Sequence, residues 1–329
     1  MFYLQSPSTD PHWNLAREQY IFDHCDRSHG YLMLWQNHNT IVVGKYQNTV
    51  GEINNEYVRE HGISVVRRLS GGGTVYHDLG NLNFTFIVDA SEAERINFRM
   101  FCEPIVRTLA SFGVSAEISG RNDITVEGKK FSGNAQYLKE GRVMHHGTIL
   151  FNSDSSVLSN ALQVDREKLA SKGVKSVSSR VANLIEYLPA GTTLDDFKAR
   201  LVEELGKSEP MLPMTLSEEA LARVEEIRKE RYGTWEWNYG RSPGYTDLRR
   251  RRIEGVGLVE VSMEVKGETI RDAQFFGDFF ENSDVSALAD ALKGCRCRRE
   301  ELLARLTAFD PGRCIRNLTA EALTDLLLP

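Results

Sequence analysis

The sequence is poor in cysteine and has no excess of positive charge, and each shortage argues against a class of protein. The five cysteines among 329 residues are odd in number and widely scattered, which argues against a disulfide framework and favours reduced thiols. The formal net charge of −6 argues against generic nucleic-acid binding, because no basic excess exists to displace counterions from phosphates. The cysteines are Cys25, Cys102, Cys295, Cys297 and Cys314.

Long apolar runs are missing as well. No uninterrupted apolar stretch approaches the roughly 20 residues that a membrane-spanning helix requires, and residues 1–10 lack the basic head and apolar run of a secretory signal. We therefore expect a cytoplasmic protein with no membrane partner and no nucleic-acid partner. At 329 residues the chain predicts one large and one small domain, which we assign to residues 1–246 and 247–329.

Predicted strands come in clusters and do not alternate regularly with helices. Tyr31–Trp35 and residues 41–43 are short apolar runs separated by a polar turn, which is the pattern of a hairpin. Residues 82–88 alternate as a strand with one buried face. This clustering favours an α+β fold with a mixed sheet over a doubly wound parallel sheet.

Two helices are predicted by apolar residues at helical spacing. The first covers residues 99–112, and Pro104 inside it implies either a kink or a late start. The second covers residues 193–206 and begins at a Thr193/Asp196 capping pair. Each carries an apolar stripe along one face.

A glycine-rich loop between two predicted strands is the strongest local pattern, with the letters RRLSGGGTVYHD from residue 67. Consecutive glycines let backbone amides approach an anion closely and form a nest for phosphate oxygens. The loop matches neither the Walker pattern nor a GxGxxG turn that opens a helix. A tight connection without a ligand is the alternative, and the paired Arg67 and Arg68 favour a bound phosphate.

Lys130 is followed by the small residues Ser132, Gly133 and Ala135, which leave space beside its side chain. A lysine is a compact positive charge that can neutralise a carboxylate and a phosphate together, as the formation of an adenylate requires. The alternative is an ordinary solvated lysine in a turn.

His145 and His146 are adjacent on a predicted strand, so they point to opposite faces and cannot bind one metal ion together. We predict that one faces a pocket and the other faces solvent, with a purely structural histidine as an equal alternative. Asn122 and Asp123 could orient a substrate amine or Mg²⁺, although such a pair is common in ordinary turns.

Three cysteines and a run of four arginines lie in the C-terminal part of the chain. The cysteines at 295, 297 and 314 lack a fourth ligand at zinc-finger spacing, so we predict packed thiols and no metal site. The arginines at 249–252 are expected on a solvated strand edge, with docking of an acidic partner as the alternative.

Four of these patterns, in this order and at this spacing, resemble the bacterial lipoate-protein ligase A family. They are RRLSGGGTVYHDLGN from residue 67, GRND from 120, KFSGNA from 130 and HHGT from 145. The likeness continues through residues 169–174 and 176–188, the WEWN segment at 235–238 and a C-terminal accessory domain. It therefore covers nearly the whole chain.

The resemblance implies a catalytic domain of the class II biotin/lipoate ligase type, with mixed or antiparallel sheets and flanking helices, and a small α/β domain appended. It implies ATP and Mg²⁺ as cofactors, and lipoate or octanoate as the substrate that is adenylated. The acceptors it implies are apo lipoyl domains of 2-oxoacid dehydrogenase E2 subunits and the glycine cleavage H protein.

The resemblance also assigns roles to individual residues, with Lys130 as the catalytic group that holds both the lipoate carboxylate and the α-phosphate. The residues assigned to ATP and the adenylate are Arg68, Ser70, Gly73, Thr74, Val75, Tyr76, Asn122, Asp123 and Lys130. Those assigned to lipoate are Lys130, Gly72, His77, His146, Gly147 and Thr148. The hydrocarbon tail is expected in an apolar pocket under the glycine loop.

Two other functions stay open. An octanoyl- or lipoyl-transferase on the same fold would use a cysteine near Asn122 to form a thioester. No cysteine lies between Cys102 and Cys295, and Cys102 falls in a predicted helix, which argues against this alternative. A non-catalytic protein that binds lipoyl domains is the other, and the presence of both Arg68 and Lys130 argues against it.

Overall fold

A computed structural model describes residues 1–89, 97–120, 122–162, 181–239, 247–266 and 268–328. It divides the chain into two compact units. The larger unit comprises Met1–Val42, Gly51–Arg67 and Val75–Asn238, and the smaller comprises Val43–Val50, Arg68–Thr74 and Tyr239–Pro329. The predicted domain boundary after residue 246, Arg121 and residues 169–176 lie outside the described residues.

The strands and helices up to residue 239 have the following bounds. The strands are β1 (Phe2–Gln5), β2 (Tyr31–Trp35), β3 (Thr40–Val43), β4 (Ser64–Arg67), β5 (Val75–His77), β6 (Asn81–Asp89), β7 (Ala116–Ser119), β8 (Asp123–Val126), β9 (Lys129–Lys139), β10 (Arg142–Leu150) and β11 (Leu212–Pro213). The helices are α1 (Pro11–His24), α2 (Thr49–Glu52), α3 (Asn55–Glu60), α4 (Phe98–Ser111), α5 (Ser155–Ala161), α6 (Leu194–Gly206), α7 (Glu218–Ile227) and α8 (Trp235–Asn238).

The principal sheet of the larger unit is mixed. In the described residues it has eight strands in the order β11-β1-β2-β6-β10-β9-β8-β7. Strand β1 runs parallel to both β2 and β11, whereas the pairs from β2 to β7 are antiparallel. A second sheet has the order β4-β3-β5. The predicted α+β class with a mixed sheet is therefore confirmed.

Helices α4 and α6 contribute the apolar stripes that the sequence predicts. In α4, Phe101, Ile105 and Leu109 are buried in the core of the larger unit. The helix begins at Phe98 behind an Asn97 cap, so the alternative of a late start at Pro104 is wrong. Helix α6 begins with the capping box formed by Thr193 and Asp196, which confirms that prediction.

The predicted hairpin between residues 31–35 and 41–43 is wrong. Strand β2 pairs with β1 and β6 in the principal sheet, whereas β3 pairs with β5 in the second sheet. Two short apolar runs near each other in sequence look the same whether they pair with each other or with distant strands. Only the partners of each strand decide between these arrangements.

Strand β6 is buried on both faces, although its alternation predicted one. Helix α1 covers one face, where Glu18 accepts a hydrogen bond from Thr85. Helix α4 covers the other, where the Phe86 and Phe101 rings pack 5.8 Å apart. The polar positions of this strand are therefore buried and need hydrogen-bond partners.

The smaller unit contains strands β12 (Asp247–Ile253), β13 (Gly257–Lys266) and β14 (Thr269–Gly277) and helices α9 (Ser286–Leu292), α10 (Arg299–Phe309) and α11 (Ala320–Leu327). The strands form an antiparallel sheet in the order β12-β13-β14. The arginines at 249–252 therefore lie on an edge strand, as predicted. Tyr46 joins the core of this unit by stacking on Phe279 at 5.1 Å. None of the described helices is long and apolar enough to cross a membrane.

Candidate active site

Lys130 lies at a β-bulge between β8 and β9. Ser132 pairs with Ile124, but Lys130 pairs with Thr125, so Phe131 is an extra residue in β9. A bulge re-aims the side chains beside it. Phe131 is buried in the core, while the Nζ atom of Lys130 lies 2.7 Å from Oδ1 of Asp123. Both charged side chains keep more than a third of their surface exposed, at 38% and 36%.

Hydrogen bonds hold the backbone near this ion pair at Lys130 and at Asn122. The Lys130 carbonyl accepts a hydrogen bond from the Ala182 amide at 2.9 Å. The side-chain amide of Asn122 donates to the Asn134 carbonyl at 2.8 Å, and Asn134 returns a hydrogen bond to the Asn122 carbonyl at 3.1 Å. Asn122 thus fixes the strand that follows Lys130.

Gly133 provides the space beside the Lys130 ammonium that the sequence predicts. A Cβ atom at Gly133 would lie 2.9 Å from Nζ and 3.0 Å from Cε of Lys130. The Gly133 amide donates to the Thr148 hydroxyl at 3.3 Å, which brings Thr148 beside the same lysine. The structure therefore groups Lys130, Asp123, Gly133 and Thr148.

Gly147 is required for a different reason. A Cβ atom there would lie 2.2 Å from Oδ1 of Asn134 and 2.4 Å from the ring of Phe84. Both neighbours belong to the packed side of the sheet, so any larger residue would collide with the core.

His146 is held by a buried hydrogen-bond chain from three other elements. Its Nδ1 lies 3.0 Å from Oε1 of Glu18. The same Glu18 oxygen accepts the Thr85 hydroxyl at 2.7 Å, and Thr85 in turn accepts the Trp35 indole N–H at 2.9 Å. The sequence analysis did not single out Glu18. Its place between Leu15 and Phe22 on a buried helix face could have indicated a role, because an acidic residue is almost never fully buried unless it is paired.

His145 faces the opposite side of the sheet, among aromatic rings. It stacks on Phe101 at 4.7 Å and makes side-chain hydrogen bonds with Gln136 and Asn134. Burial holds the pKa of His145 well below its usual value of 6.5, so it is neutral. The prediction that one of the two histidines faces solvent is wrong, because His145 is 0% and His146 8% exposed.

His77 and Tyr76 lie on β5. His77 is buried; its Nδ1 lies 3.2 Å from the side-chain amide nitrogen of Asn37, and its ring packs edge-on against Trp35. The Tyr76 hydroxyl donates to Asn39 at 3.0 Å, and burial raises the pKa of Tyr76 to about 12. Val75, before them, pairs with Val42.

The glycine-rich loop belongs to the smaller unit and closes around the guanidinium of Arg68. That group donates to the Ser70 hydroxyl at 3.0 Å and to the carbonyls of Gly71 and Gly73 at 2.7 and 2.9 Å. Gly72 has a φ of +91°, the region that glycine adopts without strain. Arg68 therefore shapes this loop from inside.

Further contacts hold the loop within the smaller unit. The Gly72 amide donates to the Phe279 carbonyl at 2.9 Å. The Thr74 hydroxyl donates to Oε1 of Gln47 at 2.9 Å, and that oxygen also accepts the Gly44 amide at 2.8 Å. These hydrogen bonds tie the loop to Phe279 and Gln47 of the same unit.

Arg67 has a structural role in the larger unit. It is fully buried, and its guanidinium donates to the carbonyls of Trp237 and Asn238 at 2.8 and 3.2 Å. The Asn238 side chain accepts the Arg67 amide, and the Trp237 indole donates to the Arg67 carbonyl. Of the two arginines that favoured a bound phosphate, Arg67 braces β4 to α8. Two residues of the WEWN segment, Trp237 and Asn238, are therefore the partners of Arg67.

Cys102 is unsuited to nucleophilic chemistry. It is buried in α4, and burial raises the pKa of its thiol to about 12. Its thiolate is therefore scarce at neutral pH. Among the described residues, no group of three or more histidines, cysteines or acidic residues could hold a metal ion.

Comparison with known proteins adds family matches along both units. Residues 10–206 match the lipoyl protein ligase A/B catalytic domain, and residues 242–327 match the bacterial lipoate protein ligase C-terminus. The lipoate-protein ligase LplJ of Bacillus subtilis is 43% identical over 321 residues, which cover 97% of this chain and 97% of that protein.

Solved structures agree. The crystal structure of Plasmodium falciparum LipL1 in complex with lipoate superposes with a TM-score of 0.76 and 26% identity, over 96% of this chain and 95% of that one. A lipoate-protein ligase A bound with ATP gives a TM-score of 0.62 and 25% identity, over 73% of this chain and 97% of that one.

Proposed function

The chain belongs to the lipoate-protein ligase family, and we propose that it activates lipoate with ATP and transfers the lipoyl group to a lysine of an acceptor protein. In the first half-reaction, a lipoate carboxylate oxygen attacks the α-phosphate of ATP and pyrophosphate leaves. In the second, the acceptor amine attacks the mixed anhydride and AMP leaves. Neither step needs a nucleophile from the enzyme, because the reactants attack each other directly. The enzyme positions them and stabilises the charge that develops.

The observation that carries this proposal is the placement of Lys130. Its ammonium stands beside Asp123 at a bulge, with Gly133 leaving room next to it. Negative charge accumulates as the carboxylate and the α-phosphate approach each other, and a fixed cation lowers the energy of that arrangement. We assign to Lys130 the contact with both groups.

We assign two further sets of residues to the nucleotide and to lipoate. Arg68, Ser70, Gly73, Thr74, Val75, Tyr76, Asn122 and Asp123 contribute to ATP and adenylate binding. Gly72, His77, His146, Gly147 and Thr148 contribute to lipoate binding. The buried guanidinium of Arg68 shapes the loop, and Asn122 acts through the backbone of Asn134.

Mg²⁺ is expected to arrive with ATP. This ion is usually held by one or two carboxylates together with substrate phosphates. Asp123 supplies one carboxylate beside Lys130, which fits that donor set without a dedicated cluster of ligands. When bound, the ion neutralises charge on the phosphates.

The acceptors we propose are apo lipoyl domains of E2 subunits and the H protein. The substrate is lipoate or octanoate, since pocket shape sets chain-length preference. The transferase alternative loses support because the thiol of Cys102 is buried and its pKa is raised to about 12.

Exchange of labelled pyrophosphate into ATP tests the proposal. We expect exchange that depends on lipoate and needs no acceptor, since the adenylate forms before transfer. A protein that transfers from a thioester or only binds lipoyl domains would show none, and that result would overturn the proposal.

A further inference from the structure

Two buried asparagines, one in α1 and one just after β2, connect backbone carbonyls to the ring of His77. Asn14 and Asn37 are 0% exposed, and His77 is 3% exposed. The Asn14 amide nitrogen lies 2.9 Å from Oδ1 of Asn37, and the Asn37 amide nitrogen lies 3.2 Å from Nδ1 of His77. In a buried network, each donor must meet an acceptor.

The orientation of the first asparagine is fixed by the backbone. Its Nδ2 lies 3.1 Å from the Ser8 carbonyl and 2.9 Å from the Gln36 carbonyl. Carbonyl oxygens only accept hydrogen bonds, so the amide nitrogen of Asn14 must face them. The reverse orientation would set three oxygens against one another.

The remaining orientations follow one from another. The two hydrogens of the Asn14 NH₂ group are shared among three acceptors, and this group faces Asn37. The Asn37 atom beside it is therefore Oδ1, because the reverse orientation would set two NH₂ groups against each other, and the other end of Asn37 is its NH₂ group. That group donates to Nδ1 of His77, which must therefore carry a lone pair. A neutral imidazole with a lone pair on Nδ1 has its hydrogen on Nε2.

We propose that Asn14 and Asn37 are positioning residues that hold His77 as the neutral Nε2–H tautomer, so that it donates a hydrogen bond to an oxygen of the lipoyl or adenylate group. The part that concerns the substrate rests on the proposed function. The tautomer itself rests only on the hydrogen-bond chain.

The tautomer is measured directly on the full-length protein without ligand. Two-bond ¹H–¹⁵N correlation spectra of histidine-labelled protein distinguish ring nitrogens with and without hydrogen, and a His77→Gln variant assigns the signals. We expect His77 to show Nδ1 without hydrogen and Nε2 with hydrogen. A spectrum with hydrogen on Nδ1 would overturn the proposal whatever the activity.

The Asn37→Asp substitution reverses the direction of the hydrogen bond to His77 and leaves the side chain at position 37 the same size. A carboxylate only accepts, so Nδ1 of His77 must take up a hydrogen to pair with it. We expect the signals of His77 to change accordingly, and kcat/KM for lipoate in the exchange reaction to fall about tenfold to hundredfold, as for a lost hydrogen bond to a charged group. Asn54→Asp, which adds the same charge at a helix cap that accepts aspartate equally well, is the control.

A double variant separates positioning from simple damage to the fold. Glutamine at 77 keeps an N–H donor but has no ring tautomer, so Asn37→Asp should change the activity of His77→Gln less than about threefold. An equal loss in both backgrounds would overturn the positioning role. If the wild type lacks lipoate-dependent exchange altogether, the proposed function fails, and with it the contact to substrate, while the spectrum still decides the tautomer.

Discussion

The ammonium of Lys130 and the carboxylate of Asp123 lie 2.7 Å apart across the bulge between β8 and β9. Because more than a third of each side chain is exposed, water screens the pair, and it adds only about 0–1 kcal/mol to stability. The bulge directs the side chain of Lys130 towards Asp123. The stability of the fold depends little on this ion pair. A variant of either residue can therefore be tested for activity in a folded protein.

Lys130→Ala is expected to lower lipoate-dependent pyrophosphate exchange by about a hundredfold to a thousandfold, since it removes the cation that we propose stabilises the developing charge. The melting temperature should stay close to that of the wild type. Lys129→Ala is the matched control, because Lys129 is the exposed neighbour on the same strand. Full activity of the Lys130 variant would remove our catalytic assignment.

Alanine at two glycines should separate activity from stability. At Gly133 the added methyl group displaces the flexible end of Lys130, so exchange should fall by about a hundredfold with little loss of stability. At Gly147 the methyl group meets Asn134 and the Phe84 ring, so the free energy of unfolding should drop by about 1–3 kcal/mol. Chemical denaturation and exchange assays of both variants check this, and the opposite pattern would contradict our account of the two positions.

Alkylation of cysteines should leave turnover largely unchanged. Burial raises the pKa of the thiols of Cys25, Cys102 and Cys295, with Cys102 at about 12. Iodoacetamide reacts with thiolates, so these groups react slowly in the folded protein. The test is exchange activity after treatment at pH 7.5, with incorporation followed by mass spectrometry. Complete inactivation that a Cys102→Ser variant resists would revive the thioester mechanism.

Stability should fall in mild acid because of His145. Burial holds its pKa well below 6.5 in the folded state, whereas the unfolded chain takes up a proton near pH 6.5. The unfolded state then binds more protons, so its contribution to stability is constant above about pH 6.5 and is lost below it, by about 1.4 kcal/mol per pH unit. Denaturation at several pH values measures this slope. His145→Gln should reduce the slope, and His29→Gln, at an exposed position, should not; equal slopes in all three proteins would contradict the prediction.

Several elements were predictable from sequence because their signals are local. The capping box at Thr193, the stripe of α4 and the space at Gly133 each depend on residues a few positions apart. The order of the four family patterns depends only on the chain. The clustering of predicted strands is local in the same sense and predicts the α+β class, and the small residues after Lys130 single out that lysine.

The partners of buried polar groups could not be predicted in that way. Arg67 and Arg68 are identical neighbours, yet one is held by Asn238, 171 positions along the chain, and the other by the loop that follows it. His146 depends on Glu18, which is 128 positions away. No local pattern encodes which of these partners will be adjacent.

The sequence by itself therefore determined the family, the fold class and which residue types are present to do chemistry, because motif order and short-range periodicity are properties of the chain. Tertiary structure decided which of two adjacent arginines shapes the glycine loop, that both histidines are buried, and which hydrogen bonds orient them. Those outcomes follow from the burial of polar groups, each of which must find a partner wherever the fold brings one within about 3 Å.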